Sequence, residues 1–282
     1  MIKIVVDSAS DIDINEAQTM GVALMPLQVR FGNDEYLDGV NLTNRQFFEK
    51  LIESDELPQT SQINEYRWAE TFAELTKYGD DVLAITISSK LSGTYACAVK
   101  ASKKFNGKVR VVDSLNASIG ERILLNYACK LVSDNASTLD ETEKELNRAK
   151  NKIQVLAVLD TLKYLRKGGR ISSVTAFAGE LMSIKPVISV VNGEVKLAGK
   201  AIGSKKGNNL LMQLVNKCGG INFNMPYALA YSGLNDDYLQ KYLNDSEQLW
   251  KGKTDNIPVH LIGSTIGTHV GPNAIAVAFF AN

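Results

Sequence analysis

The first half of the chain is built on continuous apolar, β-rich runs: IKIVV at 2–6, VLAITI at 82–87, VRVV at 109–112 and QVLAVL at 154–159. A strand that is apolar on both sides of its pleat must be buried on both faces, and a parallel sheet covered by helices meets that condition. Segments with helical spacing lie between the runs. Two of them mark their own starts, because Thr43 with Gln46 and Thr138 with Glu141 stand at the capping-box spacing that satisfies free backbone N–H groups. Strands alternating with helices predict an α/β fold with helical crossovers.

The pattern changes after about residue 160. VISVVNGEVKLAG sets Asn192-Gly193 between two apolar runs, a two-residue hairpin signal that brings antiparallel pairing into the sheet. Helical patterns follow near 205–217, closed by Gly219 and Gly220, and near 236–250, with strands near 227–232, 258–262 and 274–280. A chain of 282 residues is long for a single core. The reading is therefore two domains with a cleft between them: 1–155, an N-terminal α/β domain with a parallel sheet flanked by helices, and 156–282, a C-terminal α/β domain with a mixed sheet.

Composition enters mainly as an exclusion. Lys plus Arg and Asp plus Glu both number 31, so no global positive field exists to gather nucleic acid or an anionic membrane surface. The three cysteines, Cys97, Cys129 and Cys218, are odd in number, widely spaced and set in apolar helical patterns, which suits buried thiols in a reducing compartment and gives no metal spacing. No run of about 18 apolar residues occurs and the chain enters MIKIVVDS directly, so the expected location is cytoplasmic, without stable membrane insertion.

In open parallel sheets, ligands bind beyond the carboxyl ends of the strands. Here those ends carry Asp7 and Ser8, Ser88 and Ser89, Asp113 and Ser114, and Asp160, and VVDSAS at 5–10 is echoed by VVDSLNAS at 111–118. Ser92-Gly93-Thr94 precedes a helical pattern, so its hydroxyls and N–H groups suit either an anion or plain helix capping. Thr60-Ser61-Gln62, read as a loop ahead of another helix, carries the same two readings. Gly168-Gly169-Arg170-Ile171 closes a short helix with an arginine able to grip an anion or a partner carboxylate. Gly263, Gly267 and Gly271 around His269 read as a flexible turn carrying an imidazole, while His260 lies inside a strand pattern as a structural histidine. HExxH, CxxC, GxxxxGK[ST] and post-strand GxGxxG are all missing, so no metal or nucleotide cofactor and no catalytic residue is assigned. The alternative is an acyl-ester hydrolase using Ser92, His269 and an aspartate, although no GxSxG elbow surrounds Ser92.

Read in order, VVDSASD, TSQ at 60–62, SSKLSGTYACA at 88–98, VVDS at 111–114, LKYLRKGGRIS at 162–172, IKPVI at 184–188 and GTHVGP at 267–272 resemble the DegV family across nearly the whole chain. That resemblance implies a long-chain fatty acid held between two α/β domains. In FakB-like members the acid is presented to a separate fatty-acid kinase, for acyl-phosphate formation and phospholipid synthesis. It implies a carrier rather than an enzyme. Carried across, Thr60 and Ser92 match the hydroxyls on the carboxylate and His269 the histidine beside it, with Ser61, Gly93, Thr94 and Arg170 as headgroup or loop support. AFAGELM at 176–182 and ILLNYACKLV at 123–132 are candidate apolar walls. Three positions depart from the family pattern: Ile202 where kinase-linked members commonly have arginine, Ile63-Asn64 after TSQ where proline is common, and GPNA in place of GPGA.

Overall fold

The structure, a computed structural model, describes residues 1–133, 137–171 and 184–282. The first stretch runs β1 (Ile2–Asp7), α1 (Ile14–Met20), β2 (Ala23–Met25), β3 (Gln28–Phe31), β4 (Asp34–Leu37), α2 (Asn44–Glu53), β5 (Gln59–Ser61), α3 (Glu65–Thr76), β6 (Asp81–Thr86), α4 (Thr94–Ser102), β7 (Val109–Asp113), α5 (Ile119–Ser133) and α6 (Leu139–Ala149). Strands β2, β1, β6 and β7, in that order, form a wholly parallel sheet. Both capping boxes are present, Thr43 with Gln46 at α2 and Thr138 with Glu141 at α6.

A small antiparallel sheet, ordered β4-β3-β5, is an addition to the expected architecture. Thr60 therefore sits on a strand rather than in a loop, paired with Val29, and the cap of α3 is Asn64. Gln59, Thr60 and Ser61 carry no apolar alternation, so only the pairing with β3 makes them a strand, which ends before Gln62. Phe47 and Phe48 of α2 pack beneath this sheet with Val29, Leu42 and Leu51.

The second stretch runs β8 (Ile153–Val158), α7 (Lys163–Lys167), β9 (Ile184–Val191), β10 (Glu194–Ile202), α8 (Ser204–Lys217), β11 (Tyr227–Tyr231), α9 (Asp237–Asp245), α10 (Glu247–Trp250), β12 (Val259–Leu261), α11 (Ser264–Val270) and β13 (Ile275–Phe280). The helix expected over 236–250 is two, separated at Ser246. The sheet is mixed, in the order β10-β9-β8-β13-β11-β12, with only β11 and β12 parallel. Asn192 and Gly193 close the β9–β10 hairpin with φ of 52° and 84°, the two positive values that the tightest hairpin turn demands.

Alternate residues of the second sheet serve two cores. Leu156, Val158, Val187, Ile275, Val277 and Phe279 pack outward with Leu211 and Val215 of α8 and with Trp250. Val155, Ala157, Ile188 and Ala276 face the largest core, which also holds Val5, Val6, Leu83 and Ile85 of the parallel sheet. Helix α5 lies between the sheets and touches strands of both. The expected wall ILLNYACKLV belongs to this helix: Ile123, Leu124, Leu125 and Ala128 are core packing. AFAGELM at 176–182 lies outside the described residues. The three cysteines are free and half-buried rather than fully buried.

Candidate functional site

Ser92 is positioned from both sides of the parallel sheet. Strand β6 lies between β1 and β7, and an aspartate from each neighbour grips the loop that leaves it. Asp7 accepts from the N–H groups of Ile87 at 2.8 Å and Ala9 at 3.0 Å, and Asp113 from those of Ser89 at 3.1 Å and Leu115 at 2.9 Å. The VVDS echo is thus one device used twice: the aspartate closes a turn at its own strand end and latches the loop next door. Burial pushes the Asp7 carboxyl up to about 7, against the two N–H groups that lower it. Ser88 Oγ donates to Gly193 O at 2.8 Å, seating the hairpin of the second sheet on this loop, and no room is left beside Ser88 for a Cβ at position 193.

Within the loop, Ser92 Oγ lies 2.9 Å from Thr94 Oγ1 and accepts the Thr94 N–H at 3.3 Å. Thr94 is fully buried and also accepts the Ile63 N–H at 3.3 Å, so it supports the loop from behind. The N-terminal cap position of α4 is Gly93, so neither Ser92 nor Thr94 occupies it, although Ser92 Oγ takes the first N–H of the helix, that of Thr94.

His269 lies on α11, a helix where three glycines suggested a flexible turn. Two buried carboxylates fix the start of this helix. Asp38 accepts from the Ser264 hydroxyl, the Ser264 N–H at 2.9 Å and the Thr265 N–H at 3.2 Å, and Asp11 accepts from Gly263 N–H at 2.8 Å and the Ser118 hydroxyl. His269 Nε2 comes within 3.0 Å of Thr60 Oγ1. Gly168 meets the other edge of the ring so closely that a Cβ could not fit against Nδ1. Burial, then the Arg170 charge, lowers the imidazole to about 4, so it is neutral at pH 7. Arg170 itself donates to main-chain carbonyls, Nε to Leu91 O at 3.2 Å and Nη1 to Gly168 O at 2.6 Å, which ties the end of α7 to the Ser92 loop.

These segments enclose a cavity of ≈ 280 Å³. Thr60, Ser61, Ser92, Gly93, Arg170 and His269 all line it, whereas Thr94 does not. Most of the remaining lining is apolar: Val155, Ala157 and Leu159, Ile188 and Val190, and Ala274 and Ala276. Each set steps by two, because one face of the second sheet forms the wall. Sequence reasoning missed these residues. In runs apolar on both faces, periodicity does not mark which alternate set borders a cavity. Exposure sets the direction of the cavity: Ser61 and Gln62 are exposed, Thr60, Ser92, Arg170 and His269 half-buried, and Leu27, Ile87 and Ile262 buried.

The hydrolase alternative does not match this geometry. Ser92 Oγ pairs with Thr94, His269 Nε2 faces Thr60, and among the described residues the buried Nδ1 has no hydrogen-bond partner to orient it. Among the described residues, no group of three or more His, Cys, Asp or Glu is placed to hold a metal, and no helix is long and apolar enough to cross a membrane.

The family model "Uncharacterised protein, DegV family" matches residues 1–282. A DegV domain-containing protein of Caldanaerobacter subterraneus is 30% identical over 281 residues, covering 99% of this chain and 98% of the relative. A DegV family protein from Thermus thermophilus, solved for its fatty acid binding, superposes with a TM-score of 0.88 at 30% identity, covering 100% of this chain and 99% of that one. DegV of Bacillus subtilis, a fatty acid binding protein, superposes with a TM-score of 0.82 at 27% identity over 98% of each chain.

Proposed function

Since the chain belongs to the DegV family over its whole length, we propose that it binds a long-chain fatty acid in the cavity between its parallel and mixed sheets, at whose mouth the small antiparallel sheet places Thr60. The carboxylate sits at Thr60, Ser92 and His269, and the acyl chain runs inward along the second sheet. The observation that carries this reading is that Thr60, Ser92 and His269, far apart in sequence, meet on a cavity whose walls are otherwise mainly apolar. Fatty acid binding by the Thermus thermophilus relative supports it.

The energetics fit such a ligand. A carboxylate leaving water needs replacement donors, which two hydroxyls and an imidazole N–H supply. Each methylene buried against Val155, Ile188 and their neighbours contributes about 0.8 kcal/mol, so the tail supplies most of the affinity and the polar end sets the orientation. Half-buried donors beside exposed Ser61 and Gln62 leave the carboxylate facing the surface. That orientation suits a carrier that presents its cargo to a separate kinase, with no chemistry of its own. Ile202, at the end of β10 and 65% exposed, puts an apolar side chain where kinase-linked members commonly have arginine. A kinase that reads charge at that point would bind this chain weakly.

Calorimetric titration of the delipidated protein with hexadecanoic acid tests the reading. The wild type is expected to bind, and the Thr60→Ala/Ser92→Ala double variant to lose about a hundredfold in affinity, from two charge-assisted bonds of about 1.5 kcal/mol or more each. No binding by the wild type, or equal binding by the stable double variant, would count against it.

A further inference from the structure

Thr265 is the one hydroxyl on the buried part of the cavity wall that has no partner among the described residues. It lines the cavity, is 3% exposed, and its Oγ1 makes no hydrogen bond, although its N–H is held by Asp38. The other buried or half-buried hydroxyls of the wall are engaged: Thr60 with His269, Ser92 with Thr94, Ser118 with Asp11. Burying a hydroxyl without a partner is unfavourable, and the buried part of the wall that this one shares with Leu27, Ile87, Ile262 and Ala274 is otherwise mainly apolar.

Its position relative to the headgroup donors follows from the helix. Thr265 and His269 are four residues apart on α11, hence on one face and about 6 Å apart along the axis. His269 is half-buried and Thr265 is buried, so Thr265 stands one turn deeper. A ligand whose carboxylate sits at His269 and whose tail runs inward passes this hydroxyl along the carboxyl-proximal part of its chain.

We propose that Thr265 Oγ1 forms a second polar subsite, which takes a hydroxyl or keto oxygen carried on the acyl chain and makes the protein prefer oxygenated long-chain acids over unsubstituted ones. The proposal rests on the fatty-acid reading above and sharpens its ligand class. A hydroxyl both donates and accepts, so Thr265 can pair with either kind of oxygen. A site with a buried polar group discriminates against a ligand that leaves that group unpaired.

The test compares affinities for hexadecanoic acid and a positional series of monohydroxyhexadecanoic acids, in the wild type, Thr265→Val and Thr265→Ser. The readout is the ratio of hydroxy-acid to hexadecanoic-acid affinity within each protein, so an overall change in a variant does not enter. At least one positional isomer is expected to show a wild-type ratio above one that falls about tenfold in Thr265→Val and is kept in Thr265→Ser. Identical ratios in wild type and Thr265→Val across the whole series, with hexadecanoic acid bound normally by the wild type, would overturn the subsite and leave the fatty-acid reading standing. Failure of the wild type to bind any acid of the series would overturn both.

Discussion

His269 titrates where its ligand should be felt. With the imidazole held at about 4 against an ordinary 6.5, the folded state binds fewer protons than the unfolded chain between those values. Stability from this group is fully present above pH 6.5 and is lost as the pH falls towards 4, by up to about 1.4 kcal/mol per pH unit. A carboxylate bound beside the ring favours its protonated form. Adding a long-chain acid should therefore raise the His269 pKa by a unit or more, read from the imidazole proton resonances in an NMR pH titration (about one unit for an opposite charge within reach). An unshifted His269 in the presence of saturating acid would place the carboxylate elsewhere. At this scale the sequence marks Thr60, Ser92 and His269 as polar residues at turns and strand ends, but not their partners. Ser92 and Thr94 are equivalent on paper. Only burial of Thr94 behind the Ile63 N–H separates a cavity-facing hydroxyl from a structural one. Thr265 carries no sequence signal, since one threonine in IGSTIGT looks like any other small helix residue.

The latch on the Ser92 loop and the alternate-residue wall belong to the elements. Asp113→Ala frees the Ser89 and Leu115 N–H groups together, and is expected to cost about 2–4 kcal/mol in denaturant unfolding and to weaken acid binding. Unchanged ligand affinity in that variant would mean the latch does not position Ser92. On the wall, Ala157 and Ala276 are direct cross-strand partners on β8 and β13, and two small side chains side by side leave space along the sheet between Val155 and Ile188. Ala157→Leu should fill part of it and shift the preferred acid to shorter chains by a few carbons, measured by competition among saturated acids; an unchanged length profile would place the tail away from β8. Long apolar runs and Asn192-Gly193 made the central strands and the hairpin readable, because burial on two faces and a two-residue turn each leave a strong mark in sequence. β5 and α11 were not readable for opposite reasons. Gln59-Thr60-Ser61 lacks apolar alternation and becomes a strand by pairing with β3, while Gly263, Gly267 and Gly271 suggest a turn although Asp38 and Asp11 anchor a helix there.

At the scale of the whole molecule, the cavity exists because two sheets of different kinds share one core. The parallel sheet contributes its strand-end loops and the mixed sheet contributes a face, with α5 packed against both. The division at residues 155 and 156 stands as a proposal; it falls inside β8 (Ile153–Val158), a strand of the mixed sheet, so a division just ahead of Ile153 keeps that strand whole. The alternation of strand and helix, and its replacement by a hairpin, were enough to read the α/β class and the two kinds of sheet. The shape of the space between them depends on side-chain packing across distant segments, which periodicity along one chain does not encode. The most direct test is to purify the protein without added lipid, extract it with organic solvent and identify what was bound by mass spectrometry. A long-chain fatty acid at close to one per protein chain is expected. Repeated recovery of empty protein that also fails to take up added long-chain acids would contradict it.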